Sequence, residues 1–298
     1  MLCAEGQIVF VQQLFNGLTL GATYSLIALG YSMIFGVLSF INFAHGDVAM
    51  FGSYLTWYLL VKKGAGLVPA LMGGIIASML IGVTIEKIGY LPLRKAPRLA
   101  MIIVSMGFSF IVATFVQIFF GTTAQSMPSV IPVKSYTILN AKINSVQLWI
   151  FAISLLLMAL LYIFINKTKT GIALRAVALD RDTAGLMGVN INNAISLTFA
   201  IGSALGAVSA IMITLYYGAI YPTLGSNIGM KGFTAVVLGG AGSIPGAMIG
   251  GLIMGVIESL VGAYISSAYR EAIAFFVLIV VLLFKPSGLF GKKVVKEG

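Results

Sequence analysis

Charged side chains are scarce in this sequence. Only 9% of its 298 residues are Asp, Glu, Lys or Arg, while 59% are hydrophobic and the mean hydropathy is +1.06. Soluble domains carry about 25% charged residues, so this composition excludes an ordinary soluble protein. Apolar runs long enough to cross a bilayer, roughly 18 residues or more, recur along the chain. We therefore predict an all-α, polytopic membrane bundle that forms a single domain over residues 1–298.

Cysteine and histidine each occur only once, as Cys3 and His45. One cysteine excludes an internal disulfide, and one cysteine with one histidine cannot form a metal-ligand cluster. A serine hydrolase would need His45 as its base, and no G-x-S-x-G elbow accompanies it. The G-x-x-x-x-G-K-[ST] phosphate loop is also missing. We predict a protein that is not an enzyme and has no metal site and no cofactor of its own.

Positive charge is present but clustered. The formal net charge is +10, and four of the 18 Lys and Arg residues lie in each of the stretches 86–99, 166–190 and 285–298. Cytoplasmic loops of membrane proteins concentrate cations in this way. The clusters therefore predict orientation rather than a nucleic-acid partner, with the C-terminus cytoplasmic and residues 121–147 outside. The first seven residues lack the basic region of a signal peptide, so we expect the first apolar run to be retained.

Six apolar segments are clear spans: 67–85, 100–120, 148–165, 193–217, 245–265 and 271–284. Two other pieces, 30–43 and 47–62, would be only about 21 and 24 Å long as helices, short of the roughly 30 Å hydrocarbon core. Residues 224–240 must also cross if the C-terminus is cytoplasmic, although their glycines and a lysine favour a broken helix. Short, Gly-interrupted pieces in both halves indicate discontinuous helices of a transporter. We predict eight to ten membrane segments and leave the side of the N-terminus open.

Polar residues interrupt the apolar stretch "FINFAHGDVAMFGSY", which carries Asn42, His45, Gly46 and Asp47. Ionisable groups at membrane depth usually face a cavity, so one hypothesis is that His45 and Asp47 line a translocation path. In the other, Asn42 ends one half-helix, Gly46 allows the turn and Asp47 caps the next helix. The capping interpretation is preferred, and the two are compatible.

Three polar residues in the second half, Asn227, Lys231 and Glu258, are further candidates for the path or for a helix break. Glu258 lies well inside a span, and its alternative role is an interhelical hydrogen bond. Small residues at a spacing of four let helices approach closely in lipid. The packing candidates are Gly202, Gly206, Gly242, Gly246 and Gly250, together with Pro245 in the first turn of a helix capped by Ser243.

The most informative polar segment is residues 166–190, "NKTKTGIALRAVALDRDTAGLMGVN". Helix-forming residues from 172 to 187 predict one short amphipathic helix on the cytoplasmic side. Its exposed charged residues would be Arg175, Asp180, Arg181 and Asp182. The helix either lies on lipid headgroups or docks a soluble partner, and charge and helicity alone leave both open.

Three stretches carry a family resemblance: "NGLTLGATYSLIALGYSMIFGVLSFINFAHGDVAMFGSY", "GVNINNAISLTFAIGSALGAVSA" and "GMKGFTAVVLGGAGSIPGAMIGGLIMG". Together they resemble the permease family of bacterial branched-chain amino-acid importers, and within it the first of the two permease subunits of the leucine/isoleucine/valine system. The resemblance extends from about Gln13 to Gly288, and the "NFAHGD" and "GGAGSIPGA" blocks are its most specific parts.

The resemblance implies an ATP-binding-cassette (ABC) importer permease in the bacterial inner membrane. The implied partners are a second permease subunit, two ATPase subunits that bind the ATP, and a periplasmic substrate-binding protein. In such permeases an E-A-A-x-x-x-G helix docks on the ATPase, and "DTAGLMG" at residues 182–188 resembles it, with Asp for Glu and Thr for the first Ala. The implied coupling residues are Arg175, Asp180, Arg181, Asp182, Ala184 and Gly188.

The implied function is ATP-driven import of branched-chain, hydrophobic amino acids. Similar permeases serve urea, short amides or other amino acids, and these remain alternatives. A different class, an ion-coupled secondary carrier, would use Asp47, His45 and Glu258 as its relay. A third hypothesis is a membrane scaffold without transport activity.

Overall fold

The computed structural model describes residues 2–94, 96–130, 132–138 and 141–291. Within these ranges helices dominate, and the predicted all-α membrane bundle is confirmed. The helices are α1 (Leu2–Leu38), α2 (His45–Val61), α3 (Leu67–Ile85), α4 (Arg98–Phe120), α5 (Ser145–Lys167), α6 (Lys169–Leu179), α7 (Arg181–Leu186), α8 (Ile191–Tyr217), α9 (Leu224–Gly239), α10 (Ile244–Tyr264) and α11 (Arg270–Phe284). The short strands are β1 (Gln125–Ser126), β2 (Ser135–Ile138), β3 (Ala141–Asn144) and β4 (Ala219–Ile220).

Seven helical segments of the described chain are long and apolar enough to span a membrane. The six predicted spans correspond to α3, α4, α5, α8, α10 and α11, and the seventh is the Val9–Leu38 part of α1.

The helices α5 and α10 begin with side-chain caps. Asn144 and Gln147 form a capping box before α5, and Ser243 accepts the Gly246 N–H before α10, with Pro245 in the first turn.

The N-terminal region differs from the prediction, because residues 30–43 are not a separate short piece. Helix α1 continues to Leu38 without a proline to interrupt it, and the chain leaves the helix at Ser39, whose φ is 57°. The helix lies at the centre of the bundle, packed along α8 and α10. A Cβ atom on Gly17 or Gly21 would stand only 3.0 Å from a carbonyl oxygen of α10, so glycine allows this close approach.

Helix α9 also differs from the prediction. It is one continuous helix of 16 residues rather than a broken one. Its glycines do not break it, because Gly225, Gly229 and Gly232 face α1 and α2 at close range, and Lys231 is paired with a carboxylate. At about 1.5 Å per residue, α9 and the 17-residue α2 reach only about 24 and 26 Å. Counted with the seven long segments, these two short helices give nine apolar helical segments in the described chain, which is roughly consistent with the predicted eight to ten.

The described part of the segment 121–147, which contains β1, β2 and β3, lies at the end of the bundle where α1 begins. Lys142 donates its N–H to the side chain of Gln12 at 2.7 Å, and the Gln12 amide donates to the Lys142 carbonyl at 2.9 Å. At the same end, the Trp57 indole near the end of α2 donates to the carbonyl oxygen of Ser126, and β1 pairs with β4.

The described parts of the three cationic stretches lie together at the opposite end. Arg181 of the 166–190 segment donates to the Val37 carbonyl near the end of α1. The π-helical turn Glu86–Tyr90 reaches the same place, where the Tyr90 hydroxyl donates to Asn42 at 2.8 Å. Residues 289–290 pair with the end of α9, while residues 292–298 of the predicted cytoplasmic tail lie outside the described residues.

The prediction of one helix over residues 172–187 is wrong, since two helices, α6 and α7, occupy this segment. Asp180 separates them because its side chain caps α7. Its Oδ1 accepts the N–H groups of Asp182 at 2.9 Å and Thr183 at 3.1 Å. An aspartate that bonds to the backbone ahead of it favours a helix start over a helix interior.

Four of the five packing glycines lie where α-helices touch. The nearest contacts of a Cβ atom at these positions would be with α1 for Gly202, with α2 for Gly206, and with the backbone of α9 for Gly246 and Gly250. Gly242 is different, and its assignment to helix packing is wrong. It lies between α9 and α10 with a φ of 83°, and a Cβ would find no atom nearer than 3.7 Å. Its role is the left-handed backbone conformation that this turn needs.

Candidate translocation site

The stretch around His45 forms the start of α2, and the structure corrects the preferred interpretation of it. Helix α2 begins at His45, its N-cap residue Ala44 makes no side-chain cap, and Asp47 already lies in the first turn. Asp47 is therefore not a helix cap. Asn42 performs the local role instead, because its side-chain oxygen accepts the Ala44 N–H at 3.1 Å. Gly46 does not form a turn either, since it lies within the helix.

The first turns of α2 and α9 meet at glycines. A Cβ on Gly46 would overlap the Gly225 carbonyl oxygen, and a Cβ on Gly225 would overlap the Asp47 carboxylate. Gly229, one turn further along α9, approaches Gly46 and the hydroxyl of Tyr31. These glycines allow two short helices to bring their N-terminal ends together inside the bundle, as in transporter folds with half-length helices.

A cavity of about 230 Å³ lies where α1, α2, α4 and α9 meet. Its walls are mainly aromatic and sulfur-containing side chains, with a few polar groups. The lining residues are Tyr31, Phe43, Asp47, Met106, Ser109, Phe110, Gly225, Ser226, Gly229, Met230 and Phe233. Concave, mostly apolar sites with a small number of polar groups are typical binding sites for small molecules.

Asp47 contributes the single charged side chain among the residues that line this cavity. It is 2% exposed. The Ser109 hydroxyl donates to Oδ2, whereas Oδ1 has no hydrogen-bond partner within the described part of the chain. The N-terminal end of a helix favours negative charge, so the first turn of α2 suits this carboxylate.

His45 lies behind the cavity rather than in its wall. Its ring packs edge-to-face on Tyr31, with the centroids 4.6 Å apart, and fills the space left by Gly30 and Gly206. The imidazole is 1% exposed. In this conformation His45 therefore packs α2 against α1 and α8.

The candidates Lys231 and Glu258 are brought together, but away from the cavity lining. Lys231 Nζ of α9 lies 2.7 Å from Glu258 Oε1 of α10 and 3.3 Å from the Tyr24 hydroxyl of α1. This contact is the interhelical interaction considered as the alternative role of Glu258. Asn227 donates to Glu271 at 3.3 Å and so links α9 to α11.

Sequence reasoning missed the contribution of α4 to the cavity. Met106, Ser109 and Phe110 line it, yet the segment 100–120 looks like a uniform apolar span. The available signal was Ser109 within that run, because a hydroxyl surrounded by apolar residues in a span needs an internal partner.

The 166–190 segment presents a second surface, at the end of the bundle that carries the cationic stretches. Leu179, Leu186 and Met187 are 83%, 88% and 81% exposed. Ala184, which the family resemblance implied as a coupling residue, is buried. Asp182 is exposed, as predicted.

The remaining coupling candidates divide between exposed and inward-facing residues. Arg175 is exposed, and Gly188 is an exposed glycine with a φ of 85° that ends α7. Arg181 is half-buried and donates to the Val37 carbonyl at 2.7 and 3.1 Å. Hydrogen bonds from the Thr183 backbone and hydroxyl lower the pKa of Asp180, because they favour its ionised form.

Comparison with known proteins is consistent with this architecture. The family model described as "Branched-chain amino acid transport system / permease component" matches residues 13–282. The permease protein LivH of the high-affinity branched-chain amino acid transport system is 42% identical in Salmonella typhimurium and 41% in Escherichia coli K12, each over 99% of both chains. The corresponding protein BraD of Pseudomonas aeruginosa is 41% identical over 97% of this chain and 98% of its own.

Two solved structures share the fold. An inward-facing metal-chelate type ABC transporter superposes with a TM-score of 0.54 at 17% identity, covering 95% of this chain and 90% of its own. PsaBC from Streptococcus pneumoniae, in complex with a Fab, gives a TM-score of 0.50 at 13% identity and 92% coverage of both chains. The family model and the close relatives together confirm the resemblance read from the sequence: this chain belongs to the permease component family of branched-chain amino acid transport systems.

Proposed function

We propose that this chain is the membrane-spanning subunit through which a bacterial ABC importer carries branched-chain amino acids across the inner membrane. Relatives at 41–42% identity are described as permease proteins of high-affinity branched-chain amino acid transport. ATP is bound and hydrolysed on two separate ATPase subunits, in keeping with a sequence that has no phosphate loop. A second permease and a periplasmic substrate-binding protein complete the assembly.

The observation that carries this proposal is the exposed apolar tip of the 166–190 segment. Leu186 and Met187 are more than 80% exposed beside the acidic residue Asp182. Anionic lipid headgroups would attract cations, but the only cation of α7, Arg181, is turned toward α1. Exposed apolar residues beside a carboxylate therefore favour a soluble protein partner over a lipid surface.

A mechanical connection joins this tip to the cavity. Arg181 donates to the Val37 carbonyl, which belongs to the last turn of α1, where carbonyl groups lack helical partners. Residues 39–44 follow, and then α2 begins with the turn that carries Asp47. Movement of α7 by an ATPase would thus displace the break between α1 and α2, and with it one wall of the cavity.

The cavity opens toward a face that a second permease would cover. Ser226 of α9 is exposed although α9 is a membrane segment, and it also lines the cavity. A polar side chain at this depth needs a polar partner or a water-filled path. Two such faces opposed to each other would enclose a path between them. In this arrangement the cationic end and the C-terminus are cytoplasmic, and the β2–β3 segment faces the binding protein.

Reconstitution tests the proposal. The chain is purified in mild detergent with the subunits that accompany it and placed in liposomes with the binding protein and internal ATP. We expect uptake of labelled leucine that stops when the ATPase lysine of the phosphate loop is replaced. Uptake driven by an ion gradient without ATP would contradict the ABC mechanism, and uptake of urea or acetamide instead of leucine would contradict the substrate.

A further inference from the structure

The cavity between α2, α4 and α9 is more than a passage. We propose that it holds the transported amino acid, with the substrate ammonium at the carboxylate of Asp47 and its aliphatic side chain against the aromatic walls. This inference rests on the proposed function, and it places a substrate-binding site within the permease itself.

Charge is the first argument. Asp47 is the single charged residue of the lining, and its Oδ1 has no hydrogen-bond partner in the described ranges. The Ser109 hydroxyl donates a hydrogen bond to the other oxygen, Oδ2, and this bond fixes the orientation of the carboxylate. A buried carboxylate oxygen without a donor is costly, and an ammonium group would supply a charge-assisted hydrogen bond there. Lys231 does not supply this charge, because it lies outside the lining and is paired with Glu258.

Space is the second argument. Oδ1 of Asp47 lies against the backbone of Gly225, where a Cβ would overlap it, so only glycine leaves room for this carboxylate at the start of α9. Thr223 provides no side-chain cap for α9, and the first-turn residues Gly225 and Ser226 both line the cavity. Free N–H groups at a helix start bind carboxylates. The cavity thus offers an anion for the ammonium and a helix start for the carboxylate of one amino acid.

The walls supply the third argument, which concerns the side chain of the substrate. The aromatic and sulfur-containing side chains that line the cavity beside Asp47 are Phe43, Phe110, Phe233, Met106 and Met230. They contain no group that could pair with a second charge. An acidic amino acid would bring a carboxylate toward Asp47, and a basic one would leave its second cation unpaired. The geometry points to small and medium aliphatic amino acids.

Photo-crosslinking tests the site directly. The complete transport complex in liposomes is loaded with photo-leucine, a leucine whose side chain carries a diazirine, then illuminated and digested. We expect label on the α4 peptide with Met106 and Phe110 or on the α9 peptide with Met230 and Phe233. Excess leucine should abolish the label, whereas its des-amino analogue 4-methylpentanoate should not, because it lacks the ammonium.

Two variants and one control separate the substrate site from a structural role. Asp47→Asn should lower labelling and leucine uptake at least tenfold. Phe110→Trp enlarges the side chain at a wall position that is 73% exposed, and it should lower labelling by photo-leucine while sparing alanine uptake. Glu86→Gln is the matched control, because it also neutralises a buried carboxylate. Glu86 pairs with Arg94 outside the cavity. Labelling of the folded fraction of this variant should therefore equal that of the wild type.

The outcomes distinguish this inference from the proposed function. A wild-type complex that imports no branched-chain amino acid overturns the proposed function itself. Normal leucine import with label elsewhere in the chain overturns only the substrate site. The same holds if Asp47→Asn keeps the wild-type KM and kcat. Should Asp47→Asn fail to assemble, Phe110→Trp decides alone, and unchanged labelling of that variant overturns the site.

Discussion

The ion pair between Lys231 and Glu258 joins α9 to α10 inside the membrane, with 2.7 Å between Nζ and Oε1. The two side chains are 14% and 1% exposed. Removing one partner of a buried pair leaves an uncompensated charge, which costs about 3–5 kcal/mol. We therefore expect Lys231→Met to lower the free energy of unfolding by about 3–5 kcal/mol, because the charge of the nearly inaccessible Glu258 would be left without its cation.

The opposite substitution should be milder. Glu258→Gln leaves Lys231, which is the more exposed partner and stays 3.3 Å from the Tyr24 hydroxyl. The double variant removes both charges at once. We expect it to be more stable than Lys231→Met alone by at least about 1 kcal/mol, which is the sign of direct coupling in a double-mutant cycle.

Thermal denaturation of the purified protein in detergent, followed by size-exclusion chromatography, measures these differences. At roughly 2–4 °C per kcal/mol, a loss of about 3 kcal/mol lowers the midpoint by about 6–12 °C. Asn227→Ala is the control on the same helix, and it removes only the 3.3 Å hydrogen bond to Glu271. If the losses of the two single variants simply add in the double variant, the two side chains are not coupled, and the ion pair does not stabilise the α9–α10 contact.

Three further substitutions test the packing and the coupling segment. Gly246→Leu should lower the thermal midpoint by several degrees, since any side chain there overlaps the backbone of Gly239; wild-type stability would refute this contact. Asp182→Arg reverses an exposed charge and should weaken copurification of the ATPase subunits while membrane insertion stays normal; undiminished copurification would exclude docking at this residue. Arg181→Ala removes two hydrogen bonds to the Val37 carbonyl and should lower transport per ATP hydrolysed, measured as leucine uptake against phosphate release; an unchanged ratio would refute the mechanical connection.

The sequence was sufficient to predict the membrane spans, because an apolar run must reach a certain length to cross the hydrocarbon core as a helix. The segments 67–85 and 271–284 agree with α3 and α11 almost residue for residue. The Ser243 cap and Pro245 were also found, since capping is a local effect of neighbouring residues. Helix ends without such local signals were less predictable, and α1 extended to Leu38 because tertiary packing holds it there.

The candidate site was less accessible to sequence reasoning. Asp47 was identified as a candidate for the path or for a helix cap, and the cap was preferred because the sequence does not show that Asn42 already bonds to the backbone before α2. The pairing of Lys231 with Glu258 joins residues 27 positions apart on different helices, which no local pattern reveals. Ser109 became significant only when α4 was placed against α2.

The position of the 166–190 segment on the cytoplasmic face is the central claim, because only there can an ATPase reach it. Replacing Cys3, the sole cysteine of the sequence, with Ser permits single-cysteine labelling. Leu186→Cys, at a position that is 88% exposed, should react with a membrane-impermeant maleimide in inside-out vesicles only, and Tyr136→Cys on β2 in spheroplasts only. Labelling of Leu186→Cys in intact spheroplasts would place α7 beyond the reach of any ATPase and contradict the account.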